Sequence, residues 1–263
     1  TAYLQRLLAR REPALIYVRD ETAADEARQW MREHSLVFVE ATPDAKPDAL
    51  HDVVRRFLDA NPPILLAQSS VTPFAEPSAW RRTLRHIIFC HPLPDEATFL
   101  ERAAPAVYRW QETPSVQDDA TYVHLLFNDD DLANESKRVR TQHPTAETLR
   151  DAAKTLRART GSNGMTLDEW ASAAKNLEPA TLRAIAQILE ELGFVKETKY
   201  GKITRFVWVE GVRRELEESA RYREGLIAHK RWELTATRWR RATVRDFWDD
   251  LRRYAQTVAS KTE

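Results

Sequence analysis

Residues 177–209 read LEPATLRAIAQILEELGFVKETKYGKITRFVWV, and this stretch decides the fold of the second half of the chain. Pro179 suits a first helical turn, where its missing N–H costs nothing. Leu182, Ile185, Ala186, Ile188, Leu189 and Leu192 then recur at helical spacing. Gly193 stops that helix. From Phe194 the pattern alternates apolar and polar on either side of Lys199-Tyr200-Gly201-Lys202, which predicts a two-stranded ribbon. A helix feeding a β-ribbon is the second half of a winged helix. Two upstream helices complete it, one over residues 145–159 and one over 166–174, where Thr166 with Glu169 three residues later makes a capping-box pattern.

Working outward, the first 128 residues alternate strand and helix. ALIYVRD from Ala14 and LVFVEA from Leu36 read as strands around the helix AADEARQWMREH. Residues 48–60 are amphipathic through Leu50, Val53, Val54, Phe57 and Leu58. ILLAQSS, HIIFCHPLP and YVHLLFN read as further strands, with a helical piece around Trp80 and a candidate strand at 106–110. Strands alternating with helices of this length imply a parallel sheet covered on both faces, an α/β class. The polar segment NDDDLANESKRVRTQH reads as a linker. After the wing, residues 212–230 read as helix. Thr243 opens a last helix with Val244, Phe247, Trp248, Leu251, Ala255 and Val258 on one face, expected to pack back. The domain reading is therefore α/β over 1–128, linker 129–143, winged helix 144–210 and helical tail 211–263.

The 263 residues carry 40 basic and 40 acidic side chains, so any basic surface is local. Residues 221–245 hold eight basic residues against Glu224 and Glu233, the strongest charge asymmetry in the chain. The single Cys90 excludes an internal disulfide and a multi-thiolate metal site, and makes a reducing cytoplasm the expected compartment. No apolar run is long enough to span a membrane. The chain starts at Thr1 without a charged-then-apolar leader, which points to either a processed product or, the favoured expectation, an excised piece of something longer.

All six glycines stand at Gly161 or later, so the α/β half can build neither a Walker loop nor a dinucleotide fingerprint, and a nucleotide-hydrolysing role is not expected. No Gly-x-Ser-x-Gly elbow is present either. The seven histidines have no recognised zinc spacing. His86 and His91 flank IIFC and are read as polar residues at strand ends, His91 at the end where open α/β sheets hold ligands. Asp129-Asp130-Asp131 lacks the glycine and the bidentate Glu of a calcium loop and is read as a solvated linker or helix start.

The sequence His143-Pro144-Thr145, the helix ending EELGFV, the hairpin KETKYGKITRFVWV and LEESARY over 216–222 together resemble the C-terminal region of the bacterial RecJ single-strand-DNA-specific exonucleases over about 80 residues. Where that family often has Arg-Glu soon after the Pro, this chain has Thr145-Ala146-Glu147. The α/β half looks like the degenerate RecA/helicase-like layer that precedes this region in the same proteins. The resemblance implies a non-catalytic accessory piece of a metal-dependent 5′ to 3′ exonuclease in DNA repair and recombination. Its Mn or Mg would belong to the parent catalytic domain, since no Asp-His-His motif occurs here. Further implications are no cofactor in this piece, a cytoplasmic, nucleoid-associated setting, and docking of the acidic C-terminal tail of single-stranded-DNA-binding protein, with single-stranded DNA and the parent nuclease core as further partners.

A tail ending in an aromatic residue and a carboxylate needs a cation beside an apolar pocket. Trp80, Arg81, Arg82 and Arg85 offer that combination before the strand at His86. So do the wing basics Lys196, Lys199, Lys202 and Arg205, beside Phe194, Tyr200 and Phe206. Single-stranded DNA needs a basic track interleaved with stacking aromatics, and Arg231, Trp232, Arg238, Trp239, Arg240 and Arg241 fit that pattern. Against each stands a packed aromatic under a solvated basic face. A RecQ-like helicase fragment and a winged-helix DNA-binding regulator are the alternatives. The first should bring a cysteine-rich zinc subdomain, and the second a basic recognition helix, whereas residues 179–192 carry only Arg183 as a cation. An enzyme with an unfamiliar site at His91 is a third.

Overall fold

The computed structural model describes residues 2–59, 63–71, 84–108, 121–161, 163–174, 177–211 and 213–262, with side chains at all of these except 108 and 258–262. The chain divides into two compact units, Thr1–Leu132 with Arg238–Glu263, and Ala133–Thr237.

In the first unit α1 (Ala2–Leu8) precedes β1 (Ala14–Val18), α2 (Glu21–Glu33), β2 (Phe38–Ala41), α3 (Pro47–Leu58), β3 (Ile64–Gln68), β4 (His86–Phe89), α4 (Glu96–Ala103), α5 (Pro105–Tyr108) and β5 (Tyr122–Leu125). The five strands form one sheet in the order β2-β3-β1-β4-β5, and every pairing is parallel, with Ile16 opposite Leu66 on one side and Ile88 on the other. The architecture is α/β. The inner strands β1, β3 and β4 are buried at every position, as strands covered on both faces must be, which explains their unbroken apolar runs. Alternation sorts the side chains: Ala14, Ile16 and Val18 share a core with Leu7, Leu8, Ala24 and Met31, while Leu15 and Tyr17 share one with Val54, Phe57, Phe99 and Ala103. Asp20 and Asp95 accept from Ala23 and Thr98 and so cap α2 and α4.

Two sequence expectations change here. Residues 106–110, read as a candidate strand, begin as the helical turn α5 instead, because Pro105 pre-sets the backbone for a first turn. The polar linker over 129–143 is the helix α6 (Asp129–Gln142). Asn128 accepts from the N–H groups of Asp130 and Asp131 at 2.8 and 3.1 Å, and three aspartates sit at the positive end of the helix dipole. Polar composition there marks a well-capped helix, not a flexible tether.

The second unit carries the rest of α6, then α7 (Ala146–Arg159), α8 (Leu167–Ala173), α9 (Pro179–Glu191), and the antiparallel ribbon β6 (Val195–Tyr200) and β7 (Ile203–Trp208). A single bridge from Met165 to Phe206 adds the short third strand of a winged helix. Thr166 and Glu169 close the capping box of α8, and Gly193 takes a φ of 75° as it ends α9. The core packs Leu149, Leu156, Trp170, Leu182, Ile185, Leu189, Val195 and Phe206 together.

A turn of 3-10 helix at Leu216–Glu218 leads into α10 (Ala220–Arg241), longer than the reading over 212–230 implied. In α11 (Val244–Thr262), Leu251 and Ala255 are buried in the first unit's core with Phe247 and Trp248 against them, whereas Val244, placed on the same face by periodicity, is 87% exposed. Val244 is the first residue of the helix, where the stripe has not yet reached the core. The side chain of Val258 lies outside the described residues.

Candidate functional site

A concavity of the second unit lies between α7, the end of α9 and the wing. Its volume is about 330 Å³, and Leu149, Ala153, Leu189, Phe194, Trp208 and Leu216 form its apolar lining. Phe194 and Trp208 lie stacked with ring centroids 5.6 Å apart and planes 12° from parallel. Val195 pairs with Trp208, and the N–H of Val209 donates to the carbonyl of Phe194 at 2.9 Å, which holds the residue before β6 beside the end of β7.

Cations ring this floor. Arg150, Lys154 and Arg157 come from α7 at positions i, i+4 and i+7, and Arg214 comes from the segment after the wing, with Glu215 the one carboxylate of the lining. Arg157 is held by a two-pronged contact to Glu210 at 3.1 and 2.8 Å and lies 5.9 Å from the centroid of the Trp208 ring. Lys154 faces Asp151, and Arg214 faces Glu218 at 2.6 Å. Arg150 is exposed and makes no ion pair among the described residues. An apolar slot with one uncommitted guanidinium at its rim suits a ligand carrying a carboxylate next to a large apolar group.

The residues singled out in the sequence fall elsewhere. Trp80, Arg81 and Arg82 lie outside the described residues, and Arg85 is half-buried just before β4. Lys196, Lys199 and Lys202 are exposed on the wing and do not line the slot. Arg205 serves the fold: it donates to the carbonyl of Gly164 at 2.9 Å and faces Glu169 at 3.6 Å, tying β7 to the start of α8. The slot's own cations were missed, although the spacing Arg150-x3-Lys154-x2-Arg157 beside Leu149 and Ala153 is legible in the sequence.

The proposed stacking track is also dispersed. Trp232 is only 6% exposed, and its indole N–H reaches Ser136 at 2.6 Å. Trp239 packs edge-on to Phe99 and Phe127 and alongside Phe247, all at about 5 Å. Arg238 pairs with Glu96 and Asp250, and Arg240 with Asp129. Arg231 and Arg241 remain exposed. Trp232 is buried, and the half-buried Trp239 has its ring engaged by Phe99, Phe127 and Phe247, so the two do not form a stacking track.

At the carboxyl end of the parallel sheet, Arg28 faces Glu21, Asp25 and Glu40, and Gln68 donates to Glu21 at 2.6 Å. His91 is buried there, 7% exposed. At the opposite end a row of polar contacts runs Tyr3, His124, His86, Glu12, with steps of 2.9, 3.0 and 2.7 Å. A carboxylate only accepts, so His86 donates from Nε2 to Glu12, its Nδ1 accepts from Nε2 of His124, and Nδ1 of His124 accepts the Tyr3 hydroxyl proton. The contact to His86 holds the Glu12 carboxyl below its usual range. Burial first, and the neighbouring His86 second, bring His124 down to about 4. Among the described residues no group of three or more His, Cys, Asp or Glu is arranged to hold a metal, and no helix is long and apolar enough to cross a membrane.

No protein-family model matches the chain, and no curated protein matches it. Among solved structures, the chain is similar to the C-terminal part of the Fun30 ATPase domain, at 13% identity and a TM-score of 0.38, over 51% of this chain and 42% of that one. The C-terminal domain of the DEAD-box protein Dbp5 aligns at 10% identity and 0.34, over 52% and 74%. The Pyrococcus furiosus Hef helicase domain aligns at 13% and 0.35, over 52% and 27%. The chain thus spans less than half the length of the Fun30 and Hef structures.

Proposed function

We propose that this chain is a non-catalytic accessory piece of a DNA-processing protein of the RecJ exonuclease type, and that its winged-helix unit docks the acidic C-terminal tail of single-stranded-DNA-binding protein. One observation carries the reading: the stacked Phe194 and Trp208 floor a slot whose rim holds the uncommitted Arg150. The tail's terminal aromatic would lie over the two rings and its α-carboxylate would meet Arg150, with Lys154 and Arg214 drawing the acidic residues before it. The sequence resemblance over 143–222 supports the choice of partner. The lack of any glycine in the α/β half, and so of a glycine-rich phosphate loop, supports a non-catalytic role. Direct contact with single-stranded DNA would fall to exposed cations such as Arg231 and Arg241 rather than to the tryptophans.

Fluorescence anisotropy of the labelled tail peptide, beside the same peptide without its terminal aromatic, tests this. Saturable binding of the complete tail only, weakened about tenfold or more by Arg150→Glu and by Trp208→Ala, is the expected result. Equal binding of both peptides, or wild-type affinity in both variants, would sink it.

A helicase-derived fragment is the second reading, favoured by a parallel α/β layer followed by a winged helix in one chain. It requires the winged helix to hold nucleic acid. The outward face of α9 carries Arg183 against Glu190 and Glu191, a poor surface for duplex phosphates. Duplex binding with a steep salt dependence, lost in Arg183→Glu and not in Arg150→Glu, would favour this reading over tail docking.

A further inference from the structure

The outer face of α10 carries large aliphatic side chains in water. Leu226, Ile227 and Leu234 are 46%, 52% and 65% exposed, while Tyr222, Gly225, Trp232, Thr235 and Ala236 of the same helix are buried. Ile227 and Leu234 stand seven residues apart, so their side chains fall on one line, and Lys230 lies between them, three residues from one and four from the other. Single exposed aliphatics are ordinary, but adjoining ones on a helix already packed on its other side form a second apolar face.

Cations outnumber carboxylates around this face. Arg223, Lys230 and Arg231 are exposed on it, and the carboxylates of α10, Glu224 and Glu233, fall on its two margins. Lys230 and Arg231 make no ion pair among the described residues, and Arg223 donates to the backbone carbonyls of Glu217 and Glu218. Aliphatics at heptad spacing with an excess of cations among them are complementary to a helix that presents aliphatics at the same spacing and carboxylates beside them.

We propose that this face of α10 is a second docking surface, distinct from the wing slot, and that its occupant is an acidic amphipathic helix of a partner protein. Ile227 and Leu234 are the apolar anchors, and Lys230 and Arg231 supply the charge selection.

The test uses two synthetic helical peptides with Leu at heptad positions a and d, one with Glu and one with Lys at e and g, titrated into the whole chain by anisotropy. Saturable binding of the Glu peptide only is expected, weakening as salt is raised. An Ile227→Glu/Leu234→Glu double variant should weaken it about tenfold or more while keeping the wild-type circular dichroism spectrum. The same variant should bind the tail peptide as wild type does, which separates this surface from the slot. Equal binding of both peptides, or of the Glu peptide to the double variant, would overturn the proposal. So would sedimentation showing that the stripe joins two copies of the chain, or binding to phosphatidylserine vesicles with none to the Glu peptide.

Discussion

His86 Nδ1 lies 3.0 Å from His124 Nε2, and that contact makes two imidazoles on neighbouring strands a single hydrogen-bonded unit. His124 is disfavoured as a cation, by burial first and by its partner second, and its pKa falls to about 4. An unfolded histidine takes up its proton near pH ~6.5, so the unfolded chain is protonated first as pH drops. Stability is full above that value and declines between it and about 4. Glu12, held low by its contact to His86, adds a further loss as pH falls through the carboxylate range. Thermal unfolding followed at steps from neutral to acid pH should show this slope. His124→Gln, which keeps a donor for His86 without titrating, should flatten it between pH ~6.5 and 5.

Trp170 is fully buried in the winged-helix unit, and its indole N–H donates to the carbonyl of Ala152 at 3.2 Å. Trp170→Ala should destabilise that unit by about 3–5 kcal/mol through the cavity it leaves. Trp170→Phe keeps much of the volume, loses the hydrogen bond, and should cost about 1–2 kcal/mol. Urea unfolding monitored by circular dichroism separates the two.

Gly164 and Gly201 both take positive φ, 69° and 62°, but only one is crowded. A Cβ on Gly164 would sit 2.8 Å from the Val207 side chain and 2.9 Å from the carbonyl oxygen of Phe206, the strand that receives the Met165 bridge, while around Gly201 the space is open. Gly201→Ala should cost about 1 kcal/mol, the left-handed backbone penalty alone. Gly164→Ala should cost more than about 2 kcal/mol, because the backbone of β7 has to move as well. Melting temperatures of the two variants, measured side by side, give the comparison; equal shifts would show that the crowding is relieved without strain.

Cys90 stands just past β4, and burial pushes its thiol up to about 11. At pH 8 it should react with iodoacetamide far more slowly than a free thiol. Unfolding in urea should restore the ordinary rate, so alkylation times opening of the sheet.

Much of the architecture was legible because local chemistry dictated it. Inner strands announce themselves as ILLAQ and HIIF, since burial on both faces leaves no polar position, and Gly193, Thr166 and Pro179 mark their helix ends through backbone geometry. The helix over Asp129–Gln142 was hidden because its caps and its small buried face, Leu132 and Val139, are diluted by charge. The candidate site was less legible. Arg205 and Trp232 look like ligand-binding residues in one dimension, yet tertiary partners in three, Gly164 and Ser136, claim them. The slot instead draws three of its four cations from α7, whose own sequence gives no hint that Phe194 and Trp208 will lie beneath it.

The absence of glycine before Gly161 bears on the denatured chain as well as on the chemistry it rules out. Every glycine falls in the winged-helix unit, and in the α/β unit positive φ among the described residues is borne by Arg11 and Ser35. Chains without glycine visit fewer backbone states when unfolded. The α/β unit thus starts from a narrower ensemble and surrenders less disorder per residue on folding, an advantage that no contact in the native sheet records.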